Sequence, residues 1–361
     1  MRTVVPVAPP SKYLILDLGA FNIKAGISGE GYPRLFLPSV VGYHQPPDED
    51  GADRGLPLLA EEAIYSGEPL YFVHPFMKTA DRPEWDWQAV TELLVHVYDK
   101  LAIDPSEYFV FYIEPVDAPP AQTQRLIQLL KEEFFAPQVF SYPENELVLH
   151  GMYRKSAVVL DLGHNTSSCI AYFKGFKLTP SFSTTHVAGK MLVEHFQQIV
   201  GEQLGKEVSL YELVPLLRKY FYIANNYERE SEFYDRGFLE DVTTSLPTMG
   251  QEVKLGPERF RIPEMLLQPT LFEKEGTGLA ELIHNVVQKC AIDTRATILE
   301  AVVLSGGVSQ LKGLEVRLRD ELRKHYPNLM ISVVSHQQRE CTSWIGADSL
   351  CQRGLPPSIS K

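Results

Sequence analysis

Cysteine is scarce. The four in 361 residues, Cys169, Cys290, Cys341 and Cys351, show no CxxC and no metal-ligand spacing. That argues against a disulfide framework and a thiolate metal centre, and for reduced thiols. Positive charge is also in deficit: 34 Lys and Arg against 46 Asp and Glu leave a net charge of −12. Such a balance repels bare nucleic acid, and no Lys/Arg-rich cluster marks nuclear import. Long apolar runs are missing too, so no stretch reaches the ~20 residues that span a bilayer. The opening MRTVVPVAPPSK, with prolines and one arginine, does not read as a secretory signal. The expectation is therefore no direct nucleic-acid partner, no membrane and a cytoplasmic setting. What is present suffices for packed cores: 44% of residues are apolar and 22% charged, and the length allows two lobes.

Two segments resemble each other. KYLILDLGAFNIKAGISG and SAVVLDLGHNTSSCIAYFKG both run apolar strand, Asp-Leu-Gly, polar turn, strand and glycine. Their aspartates, Asp17 and Asp161, lie too far apart for a solenoid repeat and suit two halves of a duplicated α/β fold. Amphipathic helices follow. Leu126, Ile127, Leu129, Leu130 and Phe134 share a face, as do Leu279, Leu282, Ile283, Val286 and Val287, and Leu314, Leu318 and Leu322. Residues 43–57, polar and rich in Pro, Gly and Asp, read as an exposed loop.

Three turns carry the chemistry. In DLGAFNIKAG, Asp17 suits a metal-bound water, Gly19 lets the backbone approach a phosphate, and Lys24 offers a point charge. In LDLGHNTSSC, Asp161 and Gly163 repeat the pattern, but His164 follows. In VVLSGGVSQLKG, Gly306 and Gly307 allow a flat ligand or a phosphate to lie against the backbone. Three such turns in this order are far more specific than one.

Together they resemble the actin and actin-related protein family. PRLFLPSVVG, PEWDWQAVTELL, the Ala188-Gly189 pair, RFRIPEMLLQP and SWIGADSL extend the resemblance over nearly the whole chain. It implies a two-lobed α/β ATPase fold, ribonuclease H-like and duplicated, with a central nucleotide cleft. The expected first lobe is 1–150 with an insertion at about 43–70. The second is 151–335 with a helical insertion at about 190–260, and 336–361 returns to the first lobe as a short tail. EGTGLAELIHNVVQKCAIDTR is similar to an actin-related subunit of the branched-filament nucleating complex. IDTR and CTSWIG are similar to the pointed-end actin-related subunit of dynactin.

The resemblance also implies ATP or ADP with Mg²⁺, and the departures fall on those contacts. Ala20 removes a serine hydroxyl and Phe21 adds bulk. His164 replaces a second aspartate, although Mg²⁺ prefers oxygen ligands. Leu217 and Arg218 stand where a Lys-Glu pair meets the ribose, Glu340 where a lysine lies near the base, and Val308 and Gln310 where Thr and Met follow the paired glycines. The expectation is weak or absent Mg-nucleotide binding, no dedicated metal site, and doubtful ATPase activity. Glu144, aligned with the glutamine that orients the attacking water, is the one candidate base. Residual nucleotide contacts fall to Asp17, Gly19, Lys24, Asp161, Gly163, Gly306 and Gly307.

Acidic residues Asp48, Glu49, Asp50 and Asp53 stand where actins carry an apolar inserting tip, and the chain ends soon after SWIGADSLC. Both features point to a subunit that does not form a homopolymer. The expected partners are other actin or actin-related subunits and complex-specific proteins of a cytoskeletal assembly. A slowly hydrolysing, nucleotide-switched subunit and a nuclear chromatin-remodeller subunit are the alternatives.

Overall fold

The computed structural model describes residues 12–46, 54–77 and 84–354. The chain divides into two units, one of Met1–Gly151 with Ser343–Lys361 and one of Met152–Thr342. In the first unit the strands β1 (Tyr13–Leu18), β2 (Asn22–Ile27) and β3 (Leu35–Pro38) are antiparallel. A small sheet follows, of β4 (Val41–Tyr43), β5 (Leu58–Leu59) and β6 (Tyr71–Val73), with a short helix α1 (Glu61–Tyr65). Then come α2 (Trp87–Leu101), β7 (Phe109–Glu114), α3 (Pro120–Glu132), β8 (Val139–Pro143) and α4 (Glu144–Gly151). The main sheet has the order β3-β2-β1-β7-β8, with β7 and β8 parallel to β1.

The sequence of β1, YLILDL, is apolar on both faces because both are covered. Leu14, Leu16 and Leu18 pack in one cluster with Leu93, Leu94 and Leu126, while Ile15 packs in another with Leu147 and Trp344. Alternate residues of a strand point to opposite faces, which is how one strand serves two cores. The SWIGADSL segment lies in the helix Thr342–Gln352, which returns to this unit. Trp344 is fully buried and its Nε1 donates to the Ile15 carbonyl at 3.3 Å. A Cβ on Gly346 would fall 1.8 Å from the Leu147 carbonyl oxygen, so only glycine lets this helix lie against α4. Asp348 accepts the backbone N–H groups of Gly29 and Gly31. These residues anchor the returning helix.

The second unit repeats the plan. Its strands β9 (Ala157–Leu162), β10 (Ser167–Phe173), β11 (Phe176–Lys177) and β12 (Ser183–Thr185) precede helices α5 (Gly189–Leu204), α6 (Leu210–Tyr220) and α7 (Tyr227–Asp235). A hairpin of β13 (Val242–Ser245) and β14 (Glu252–Leu255) and the helix α8 (Glu258–Glu264) follow, then α9 (Leu279–Gln288), α10 (Ile292–Leu299), β15 (Val302–Ser305), α11 (Leu314–His325) and β16 (Val333–Ser335). The sheet order is β11-β10-β9-β15-β16. An antiparallel hairpin leads again into two parallel strands, so the likeness between the two Asp-Leu-Gly segments is a likeness of topology. The apolar stripe of α9 is wholly buried, as are Leu314, Leu318 and Leu322 of α11.

Two expectations change. The insertion at 190–260 is not purely helical, because it contains the β13–β14 hairpin. The exposed loop does not begin at Tyr43, which is fully buried. Its hydroxyl donates to Glu92, Arg54 lies 5.1 Å over its ring, and Arg54 pairs with Asp86 at 2.9 Å. Both flanks of that loop are thereby tied down. Asp48, Glu49, Asp50 and Asp53 lie outside the described residues. Among the described residues no helix is long and apolar enough to cross a membrane.

Candidate functional site

The candidate residues gather in two sets, one in each unit. In the first, β1 delivers Asp17 and β2 delivers Lys24, and the two face each other across the hairpin. Lys24 Nζ donates to Asp17 Oδ2 at 2.7 Å, with side chains only 15% and 9% exposed. The cation expected to meet phosphate thus already meets a carboxylate. A Cβ on Gly19 would lie 2.7 Å from the Asn22 carbonyl oxygen, which explains the glycine without any ligand. The Gly19 carbonyl accepts from Ser39 Oγ at 2.7 Å. Ala20 packs its methyl against the apolar core.

Glu144 is the first residue of α4 and is half-buried. An acidic side chain there also complements the helix dipole. The buried Tyr112 phenol lies within electrostatic reach of Glu144 and Asp17. Burial first, then Glu114, Asp17, Glu144 and Asp117, pushes its pKa well above the usual tyrosine value. Tyr112 thus feels the charge of both Asp17 and Glu144, and no local pattern in the sequence singles it out.

In the second unit Asp161, next to the end of β9, is buried opposite Ser168 on β10 and Ser305 on β15. The Gly163 N–H donates to the Thr166 carbonyl at 3.1 Å, and a Cβ on Gly163 would lie 2.9 Å from the same oxygen. The carbonyls of Gly163 and His164 accept the N–H groups of Gly189 (3.1 Å) and Lys190 (2.7 Å), the first residues of α5. Two of the donors that a helix start can offer an anion are used by the turn itself. Val308 Cγ2 lies 2.8 Å from where a Cβ on Gly189 would project, so that glycine admits the valine.

Gly306 has φ +85°, and a Cβ there would meet the Leu162 carbonyl oxygen at 2.4 Å. Its N–H donates to the Arg339 carbonyl at 3.2 Å. Arg339 reaches back through Nη1 to the Ser309 carbonyl at 2.9 Å and pairs with Glu315 at 3.0 Å. Beside this turn Arg218 Nη2 and Glu340 Oε2 form an ion pair at 3.2 Å. Leu217 points the other way, buried in the core of the unit. Sequence reasoning found Arg218 and Glu340 separately and missed that they meet.

A sequence model of one family, described as Actin, matches residues 9–231 and 218–356. The chain belongs to the actin family. Its fold is accordingly the mixed α/β, two-lobed actin-like fold. The nucleotide that the family implies can be set against the residues present. The three glycine turns are present, but the N–H groups of Gly163, Gly189, Lys190 and Gly306 donate to carbonyls of the protein itself. Of the residues that the resemblance sets toward ribose and base, Leu217 packs in the core, and Arg218 and Glu340 pair with each other. Among the described residues no group of three or more His, Cys, Asp or Glu side chains is placed to hold a metal ion. That bears on all-protein metal centres and not on a Mg²⁺ held largely through water.

Proposed function

We propose that this actin-family protein is a structural, non-polymerising subunit of a larger cytoskeletal assembly, with a degraded nucleotide site. One observation carries the reading of the site. Leu217 packs in the core, and Arg218 and Glu340 pair with each other where the family resemblance places polar contacts to adenosine. The Lys24–Asp17 pair adds to it, since a lysine so held must break a largely buried contact to serve a phosphate. The proposed partners are actin or actin-related subunits and proteins particular to the assembly. The acidic run Asp48, Glu49, Asp50 and Asp53 supports the non-polymerising part, because burying such charges unpaired costs several kcal/mol.

The test is to purify the protein from a native source, denature it and assay the released nucleotide. Far less than one equivalent is expected, and stoichiometric ADP or ATP would overturn the degraded site. Sedimentation in Mg²⁺ and physiological salt should leave the protein in the supernatant; regular filaments of this chain alone would end the non-polymerising reading. The retained turns at Gly19, Gly163 and Gly306 favour a second reading, a nucleotide-binding subunit that hydrolyses slowly with Glu144 as base. Under that reading Glu144→Gln reduces turnover.

A further inference from the structure

We propose that the Arg218–Glu340 ion pair is an internal plug on the Gly306–Gly307 turn, covering the surface on which a flat purine would otherwise stack; this deepens the degraded-site reading and rests on it. Gly307 presents an open backbone face. Among the described residues, apart from its chain neighbours and the backbone of its own helical turn, only Arg218 Nη2 comes within 4 Å of the position a Cβ would take, at 3.9 Å. Glycine has no Cβ, so the guanidinium does not touch Gly307; its Nη2 stands over the open face, in the space that a ligand laid on this backbone would enter. A guanidinium is planar and stacks through its face, as an aromatic base does. The protein's own side chain thus covers the face that an incoming base would need.

Both partners stand on anchored backbone. Arg218 sits in the last turn of α6, whose Leu213, Leu216 and Leu217 are buried in the core. Glu340 sits in the short helical turn Arg339–Cys341, latched to the glycine turn by the Gly306 N–H to the Arg339 carbonyl and by Arg339 Nη1 to the Ser309 carbonyl. The two are 122 residues apart in the chain, so their meeting is set by the fold. The pair is also a poor candidate for a stabilising device. Arg218 is 44% and Glu340 22% exposed, and ion pairs so open to water add little to folding. It can therefore be removed without loss of the fold, which makes the proposal testable.

The full-length protein, Arg218→Ala, Glu340→Ala and the swap Arg218→Glu/Glu340→Arg are titrated with adenosine and with Mg-ATP by ligand-observed NMR. Adenosine reports on the purine face alone, apart from the phosphate turns. Arg218→Ala should bind adenosine about fivefold more tightly than wild type, the upper end of what displacing an exposed ion pair costs. Glu340→Ala should gain less, because Arg218 remains but is no longer held. The swap should return to wild-type weakness, and melting temperatures should not change. Where Arg218→Ala proves unstable, Arg218→Gln keeps the length and loses the charge. Unchanged or weaker adenosine binding in the single variants would overturn the plug and make Arg218 either a bystander or a ligand contact. Stoichiometric Mg-ATP on the wild type would defeat the degraded site, while the ratio of variant to wild-type adenosine affinity would still decide the plug.

Discussion

In the first unit Asp17 meets Lys24 across its hairpin; in the second, Asp161 meets Ser168 at the matching register. The turns between are built alike. Leu18 pairs with Ile23 and Leu162 with Ser167, and each turn opens on a glycine whose Cβ would strike the carbonyl three residues on. Backbone sterics thus hold the turn in both copies, whatever its side chains do. The chemistry has diverged freely around it. The second unit places its arginines elsewhere: Arg317 on Glu264, Arg339 on Glu315 and Arg218 on Glu340. An Asp-Leu-Gly turn is therefore a sign of this fold before it is a sign of a ligand.

The sharpest break of the comparison is at Arg317. Its guanidinium, 6% exposed, meets Glu264, 0% exposed, through two contacts of 2.8 and 3.0 Å, and also binds Glu321 and the Ala224 carbonyl. Arg317→Met leaves a buried carboxylate uncompensated and should cost about 3–5 kcal/mol. Arg317→Met with Glu264→Leu should recover much of that, because the pair itself contributes little once both charges are gone. The three tryptophans, Trp85, Trp87 and Trp344, all belong to the first unit. Tryptophan fluorescence therefore follows that unit while far-UV circular dichroism follows both. Loss confined to the second unit should appear as a dichroism transition that precedes the fluorescence one in urea.

Next in size is the glycine contrast. Gly306 combines φ +85° with a 2.4 Å clash, whereas Gly19 has ordinary φ and a 2.7 Å clash. Gly306→Ala should cost about 2–3 kcal/mol and Gly19→Ala about half as much, measured by urea midpoints. Equal costs would mean that the turns are set by contact alone. Smaller again is Lys24→Met, which strands Asp17 and should cost about 1–2 kcal/mol, less than a fully buried pair because both groups retain some water. A cycle with Asp17→Asn isolates the pairwise part.

Much of the fold was legible from periodicity. The stripes of α3, α9 and α11 and both Asp-Leu-Gly strands announce themselves within a few residues. The site was legible only as a set of departures. Leu217 carried a readable signal, since Leu213, Leu216, Leu217 and Tyr220 follow helical spacing and place it on a core face. The Arg218–Glu340 pair carried none, because nothing local joins residues 122 positions apart. Tyr43 failed for a different reason: the run that follows it is polar, and its burial depends on Glu92 and Arg54, which only the fold brings close. The β13–β14 hairpin was hidden by Thr243, Ser245, Glu252 and Lys254 on its outer face.

The smallest expected effect concerns acid. His96 and His150 in the first unit are held below the usual histidine pKa, mainly by burial, with Lys100 and Arg353 respectively adding to it. In the second unit His284 is lowered too, by burial and then by a second imidazole, His325, whose ring centroid is 4.4 Å away. Arg295 lowers it further and Glu281 opposes. Tyr326 lies against both rings, and His284 Nδ1 is buried with no hydrogen-bond partner among the described residues. A proton added to this imidazole would put charge beside His325. The sign follows from linkage. Because the folded pKa lies below the unfolded one, the unfolded chain takes up the proton first as pH falls, so stability present above the ordinary histidine pKa is lost as pH drops through it toward the folded value. His284→Phe keeps a ring in the stack and removes the titration. Between pH 7.5 and 5 it should flatten the decline of the dichroism midpoint and leave the decline of the fluorescence midpoint, which reports the first unit, unchanged. Parallel declines for wild type and variant by dichroism would show that the stack carries no acid sensitivity of its own.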